Sequence, residues 1–181
     1  MLRRTCNLLI SAALATVSVS CNQSATPQAD LRSPATTAVV ASASKVLLTE
    51  QPADGKPVGE LRASTTDGAE ITILGRIGGD TNPWVEGRAA FTIVDPKLEP
   101  CKPEEGCLTP WDYCCSTDQI PANRALIKVV DDAGRTVEQD ARQLLGVKEL
   151  QMVLVKGTAK RDEAGNLTVL ASGVYLVPEQ K

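Results

Sequence analysis

Cys101, Cys107, Cys114 and Cys115 crowd one short stretch of this chain, spaced C-x5-C-x6-C-C. Sulfur at that density supports three kinds of chemistry. Thiols pair as disulfides, clustered thiolates hold soft metal ions, and an activated thiol does redox work. The C-x-x-C pair near a helix N-terminus that redox work would want is not evident. Four thiolates can hold zinc or Cu(I), but the paired C-x2-C knuckles of structural zinc sites are missing. Disulfides are expected instead, because an export signal (below) sends the chain to an oxidising compartment. A Cys114–Cys115 bond would be strained, so two cross-pairings remain open. Each would close rings of roughly 8 to 15 residues, worth about 2 to 3 kcal/mol apiece. On this reading the site carries no metal and no cofactor; a zinc or copper thiolate site is the alternative.

Aromatic residues gather nearby. Trp84, Trp111 and Tyr113 flank the same part of the chain as the cysteines. They are expected to pack over the sulfurs, and they form a candidate ligand surface on which bases or sugars could stack. Glu99, Glu104, Glu105, Asp112 and Asp118 lack the D-x-D-x-D-G spacing of a calcium loop. The chain has no histidine, so Ser-His-Asp and Cys-His catalytic sets are impossible. Gly78-Gly79 is not followed by the Gly-Lys-Ser/Thr of a phosphate loop. The expected protein is not an enzyme.

The elements that must position these residues follow from apolar periodicity. Glu70 to Gly78, Ala89 to Val94, Ala125 to Val130, Leu150 to Ala159 and Leu167 to Val177 read as strands. Asp140 to Leu145 reads as a short helix, with Asp140 as N-cap and Gly146 at its end. Pro57 to Ser64 suits one or two helical turns, and Asp162 to Asn166 a hairpin turn. Three strands, a helix and two strands is the order of a mainly β, five-stranded OB-type Greek-key barrel. The short helix falls between strands 3 and 4. The long cysteine-rich loop, 95–123, falls between strands 2 and 3. Gly75 and Gly157 suit strands that bend at barrel corners.

The first twenty residues read as a signal peptide: Arg3 and Arg4, then the apolar run Leu8 to Val19. That run is too short to span a bilayer. It ends in Val19-Ser20-Cys21, which resembles the lipobox of bacterial lipoproteins and makes Cys21 the expected lipidation site. Residues 21–44 are rich in Ser, Thr, Ala, Pro and Gln and read as a disordered tether. The domain is then 45–181. Loss of Arg3 and Arg4 leaves 17 basic against 22 acidic residues. Nucleic-acid binders usually carry the opposite field, so that partner class is disfavoured.

The segments Gly75-Arg76-Ile77-Gly78-Gly79, Asn82 to Asp95 (NPWVEGRAAFTIVD), Thr109 to Cys115 (TPWDYCC) and Asp140 to Leu150 carry a likeness. They resemble a family of small exported OB-fold lipoproteins of planctomycete-type bacteria, over about residues 45 to 177. The resemblance implies an exported barrel and brings no activity with it. The expected function is a non-enzymatic binding module, tethered to an envelope membrane by its N-terminal lipid and facing the periplasm or exterior. Its ligand would be an envelope protein, peptide or glycan. A single-stranded nucleic-acid module is the first alternative, and a cysteine-thiolate zinc or copper protein the second.

Overall fold

The computed structural model describes residues 45–179. The expected signal, Cys21 and most of the tether lie outside the described residues.

Alternating apolar residues build five strands: β1 Glu70–Ile77, β2 Ala90–Val94, β3 Arg124–Val129, β4 Met152–Arg161 and β5 Leu167–Leu176. Ile73 and Ile77 of β1, Ala125, Ile127 and Val129 of β3, and Val153 and Val155 of β4 all point inward and are buried. β1 pairs antiparallel with β2, and β2 with β3. β3 runs parallel to β5, which returns antiparallel to β4. The β1–β4 ladder, from Glu70↔Thr158 to Arg76↔Met152, closes the barrel. The cyclic order β1-β2-β3-β5-β4 is that of the five-stranded OB Greek key.

Gly157 lies at the register shift in the β4–β5 ladder. Any Cβ there would run into the Leu170 carbonyl and the Ala171 Cα, so the strand can bend sharply only with glycine.

Two helices finish the core. Helix α1, Val58–Ser64, buries Val58 and Leu61. Helix α2, Ala141–Leu145, lies between β3 and β4 and buries Ala141, Leu144 and Leu145. The Asp140 carboxylate accepts from the Arg142 N–H at 2.9 Å, and Gly146 ends the helix at φ 69°. A parallel strand of two residues, Lys56–Pro57, lies against Ile73 and Leu74 of β1. The Leu48 N–H donates to the Val174 carbonyl, which holds the start of the domain on β5. Among the described residues, no helix is long and apolar enough to cross a membrane.

The long connection between β2 and β3 is folded. It contains four single-turn 3-10 helices: Pro103–Glu105, Pro110–Asp112, Cys114–Ser116 and Ile120–Ala122. Its own small core joins Val94, Leu98, Tyr113 and Ile120, separate from the main barrel cluster.

Candidate metal centre

Buried polar groups close the neck of the insertion. The Asp95 N–H donates to the Asn123 carbonyl at 2.9 Å. The Asp95 carboxylate accepts from the Gly59 N–H at 2.6 Å and the Lys97 N–H at 3.0 Å. Both Asp95 and Asn123 are buried, so these bonds offset the desolvation of the carboxylate. Gly59 suits this place, because a Cβ there would lie 2.5 Å from Asn123 Oδ1 and 2.9 Å from Asp95 Oδ2 and would push the two side chains aside.

Above the neck, residues 109–113 seat the insertion on the loop after β1. The Gly79 N–H donates to the Trp111 carbonyl at 2.7 Å, and Trp111 Nε1 donates to the Thr81 carbonyl at 3.1 Å. Tyr113 takes a left-handed conformation, φ 57°, and is 0% exposed. That reversal turns the chain from the barrel surface toward Cys114 and Cys115. Asp112 stabilises it: one carboxylate oxygen accepts from the Cys114 N–H at 2.9 Å, the other from Thr109 Oγ1 at 2.6 Å. The Thr109 hydroxyl, and then the Cys114 N–H, hold the Asp112 carboxyl below the usual carboxylate range.

These turns bring the four cysteines together. Their sulfurs all lie within 4.8 Å of one another. Cys107 and Cys114 are 2.9 Å apart, Cys101 and Cys114 3.4 Å, and Cys115 stands 3.9 Å from both Cys107 and Cys114. A disulfide bond is about 2.05 Å long. No pair stands at that distance, so the structure joins none of the four in the expected disulfides. A tetrahedral thiolate site with metal–sulfur bonds of about 2.3 Å puts its sulfurs about 3.8 Å apart. The observed separations scatter around that value.

The thiols share protons unequally. Burial pushes Cys101 up, but the Cys115 N–H and the thiols of Cys114, Cys107 and Cys115 outweigh it, and its pKa falls. Cys107 is pushed well up, first by its hydrogen bond with Cys114 and then by Cys101. Cys115 is pushed up to about 12, chiefly by its hydrogen bond with Cys101. The downward shift at Cys101 and the upward shifts at Cys107 and Cys115 belong to one interacting group of thiols, which resists carrying several negative charges without a cation.

The aromatic surface expected at 84, 111 and 113 does not assemble. Tyr113 belongs to the insertion core, and Trp84 is only 6% exposed. Trp84 stacks at a tilt on Phe91, lies under the Arg142 guanidinium, and donates from Nε1 to Glu149 at 2.6 Å. Its rings are used up in packing, which leaves Trp111 partly open. Sequence reasoning weighed Asp112 only as a calcium ligand, missing its hold on the turn, and missed the neck pair Asp95 and Asn123. An aspartate two residues before Cys114 is a turn signal that could have marked the first.

No protein-family model matches the chain, and no curated protein matches it. Among solved structures, one similar chain is described as an aspartyl-tRNA synthetase from Leishmania major Friedlin. The TM-score is 0.42 at 11% identity, over 79% of this chain and 26% of that one. The present chain thus spans about a quarter of the length of that structure.

Proposed function

We propose that this protein is an OB-fold metal-binding module of the cell envelope. Cys101, Cys107, Cys114 and Cys115 hold one soft d10 cation, with Zn2+ the first candidate. The observation that carries the reading is the convergence of four free sulfurs from three separate turns. Four thiolates in a tetrahedral array suit zinc, and thiolates as a class select zinc and Cu(I) over hard cations. The barrel supplies a rigid base. The buried Asp95 neck and the Tyr113 core fix the insertion from below, which pre-organises the sulfurs. Base stacking on the barrel has less support, because three of the five aromatics, Trp84, Phe91 and Tyr113, are buried.

Metal analysis and thiol counting on one sample test this. The expected result is one zinc per chain and four reactive thiols after denaturation. Cys101→Ser should remove the metal. A metal-free chain lacking four hydrogens would overturn the reading. It would favour a disulfide-stapled binding module for an envelope protein, peptide or glycan.

The tether is part of the same proposal. The mature chain is expected to begin at a lipid-modified Cys21, as mass spectrometry of its N-terminal peptide would show. An unmodified Cys21, or cleavage elsewhere, would detach the domain from the membrane and sink that part alone.

A further inference from the structure

We infer that the four-cysteine centre is an exchange site, which passes its cation to a partner presenting thiolate ligands, and not a staple that holds the fold. The inference rests on the metal-binding reading above and goes on to name the partner's chemistry.

Two sets of observations carry it. The first is that neither apolar cluster of the fold is built on the sulfurs, although Cys101 is itself buried. The main core cluster and the insertion core both exclude all four cysteines. The contacts that seat the insertion run through Asp95, Gly59, Gly79, Thr81, Trp111 and Asn123. A small structural zinc domain is different: its binding energy is its folding energy. Here a closed barrel and a separate apolar contact remain when the metal is removed.

The second is a gradient of access across the centre. Cys101 is buried, 6% exposed, while Cys107 is half-buried and Cys114 and Cys115 are exposed. A metal held there has one sulfur anchored in the protein and an open side toward solvent. Leu108, next to Cys107 in the chain, is 95% exposed, so among the described residues that stretch of the insertion faces solvent. An incoming sulfur can reach the cation without the protein unfolding.

The step is ligand exchange. A thiol on the partner loses its proton and forms a metal–sulfur bond as the bond to Cys115 Sγ breaks. The released Cys115 thiolate takes up that proton, and no atom changes oxidation state. Repetition at Cys114 and Cys107 moves the cation across, with Cys101 the last to let go.

The test uses the zinc-loaded domain with its full insertion and, as acceptor, a metal-free synthetic peptide carrying two C-x2-C pairs. Transfer is followed by mass spectrometry at several acceptor concentrations. The expected rate rises in proportion to acceptor, about tenfold for a tenfold increase, as a bimolecular encounter requires. A rate independent of acceptor means that zinc must first dissociate, and overturns the inference. Circular dichroism of the chelator-treated chain is the second readout. Retained β signal and a cooperative melt in the chelator-treated chain support an exchange site, and unfolding on metal removal overturns it. A chain that takes up no zinc at all fails earlier, at the metal-binding reading, and removes both.

Discussion

Zinc affinity is expected to rise at least a hundredfold for each pH unit between about 6 and 8, because two thiols must each give up a proton to bind. Cys115 is pushed up to about 12 and Cys107 is raised further, so both are protonated across that window in the metal-free chain. In the metal-bound form both are thiolates. Lowering the pH therefore favours the metal-free form, and raising it favours the bound one. Each released proton contributes a factor of ten per pH unit, and two give a hundred. Competition with a chromophoric chelator at pH 6, 7 and 8 measures this. A slope near zero would mean that the sulfurs are already ionised or oxidised before metal arrives, and the account of the cluster would fall.

The barrel was legible because its signals are local and periodic. Ile73 and Ile77, or Ala125, Ile127 and Val129, alternate as a half-buried strand must, and the structure buries each of them. Asp140 and Gly146 marked a helix of five residues by its caps alone. Gly157 marked the bend that the β4–β5 register shift now explains. The insertion was not legible in the same way. Its placement depends on one left-handed residue, Tyr113, and no pattern forecasts a tyrosine there when glycine and asparagine are the usual occupants. Its cysteines converge through tertiary turns, so the linear rule that looks for C-x2-C knuckles passes over them. Trp84 and Tyr113 read as packing over the sulfurs, with a stacking surface as the functional alternative, and the structure buries both in apolar clusters. Tyr113 is core because the insertion folds back on Val94 with apolar residues of its own, Leu98 and Ile120, and Trp84 is core because it packs on Phe91 in the main barrel cluster. Composition still held part of the answer: six cysteines, four of them clustered, and no histidine left sulfur as the soft ligand on offer.

Tyr113→Ala is expected to destabilise the insertion by about 3 to 5 kcal/mol, the range for emptying a large aromatic site. Tyr113→Phe should instead stabilise it, by on the order of 1 kcal/mol. The ring is fully buried among Val94, Leu98 and Ile120 and presses on Gly78, whose Cβ would lie 3.0 Å from Tyr113 Cε2. Its hydroxyl is different. It is buried without a hydrogen-bond partner among the described residues. Burial raises its pKa, while the Arg76 guanidinium, a nearby donor that does not reach full hydrogen-bond geometry, and then its charge oppose the rise, so the group stays a neutral phenol. An unsatisfied buried hydroxyl costs stability that phenylalanine would recover, while both variants keep the same backbone demand at φ 57°. Amide exchange locates the effect. The Gly79 N–H, bonded to the Trp111 carbonyl, should exchange faster in Tyr113→Ala and at least as slowly in Tyr113→Phe. The amides of β4 and β5 should be unchanged in both, because the main core cluster does not include Tyr113. If the phenylalanine variant loses protection as the alanine variant does, the hydroxyl has a partner that holds the turn. Tyr113 would then position the Cys114–Cys115 pair through its oxygen and not through its ring.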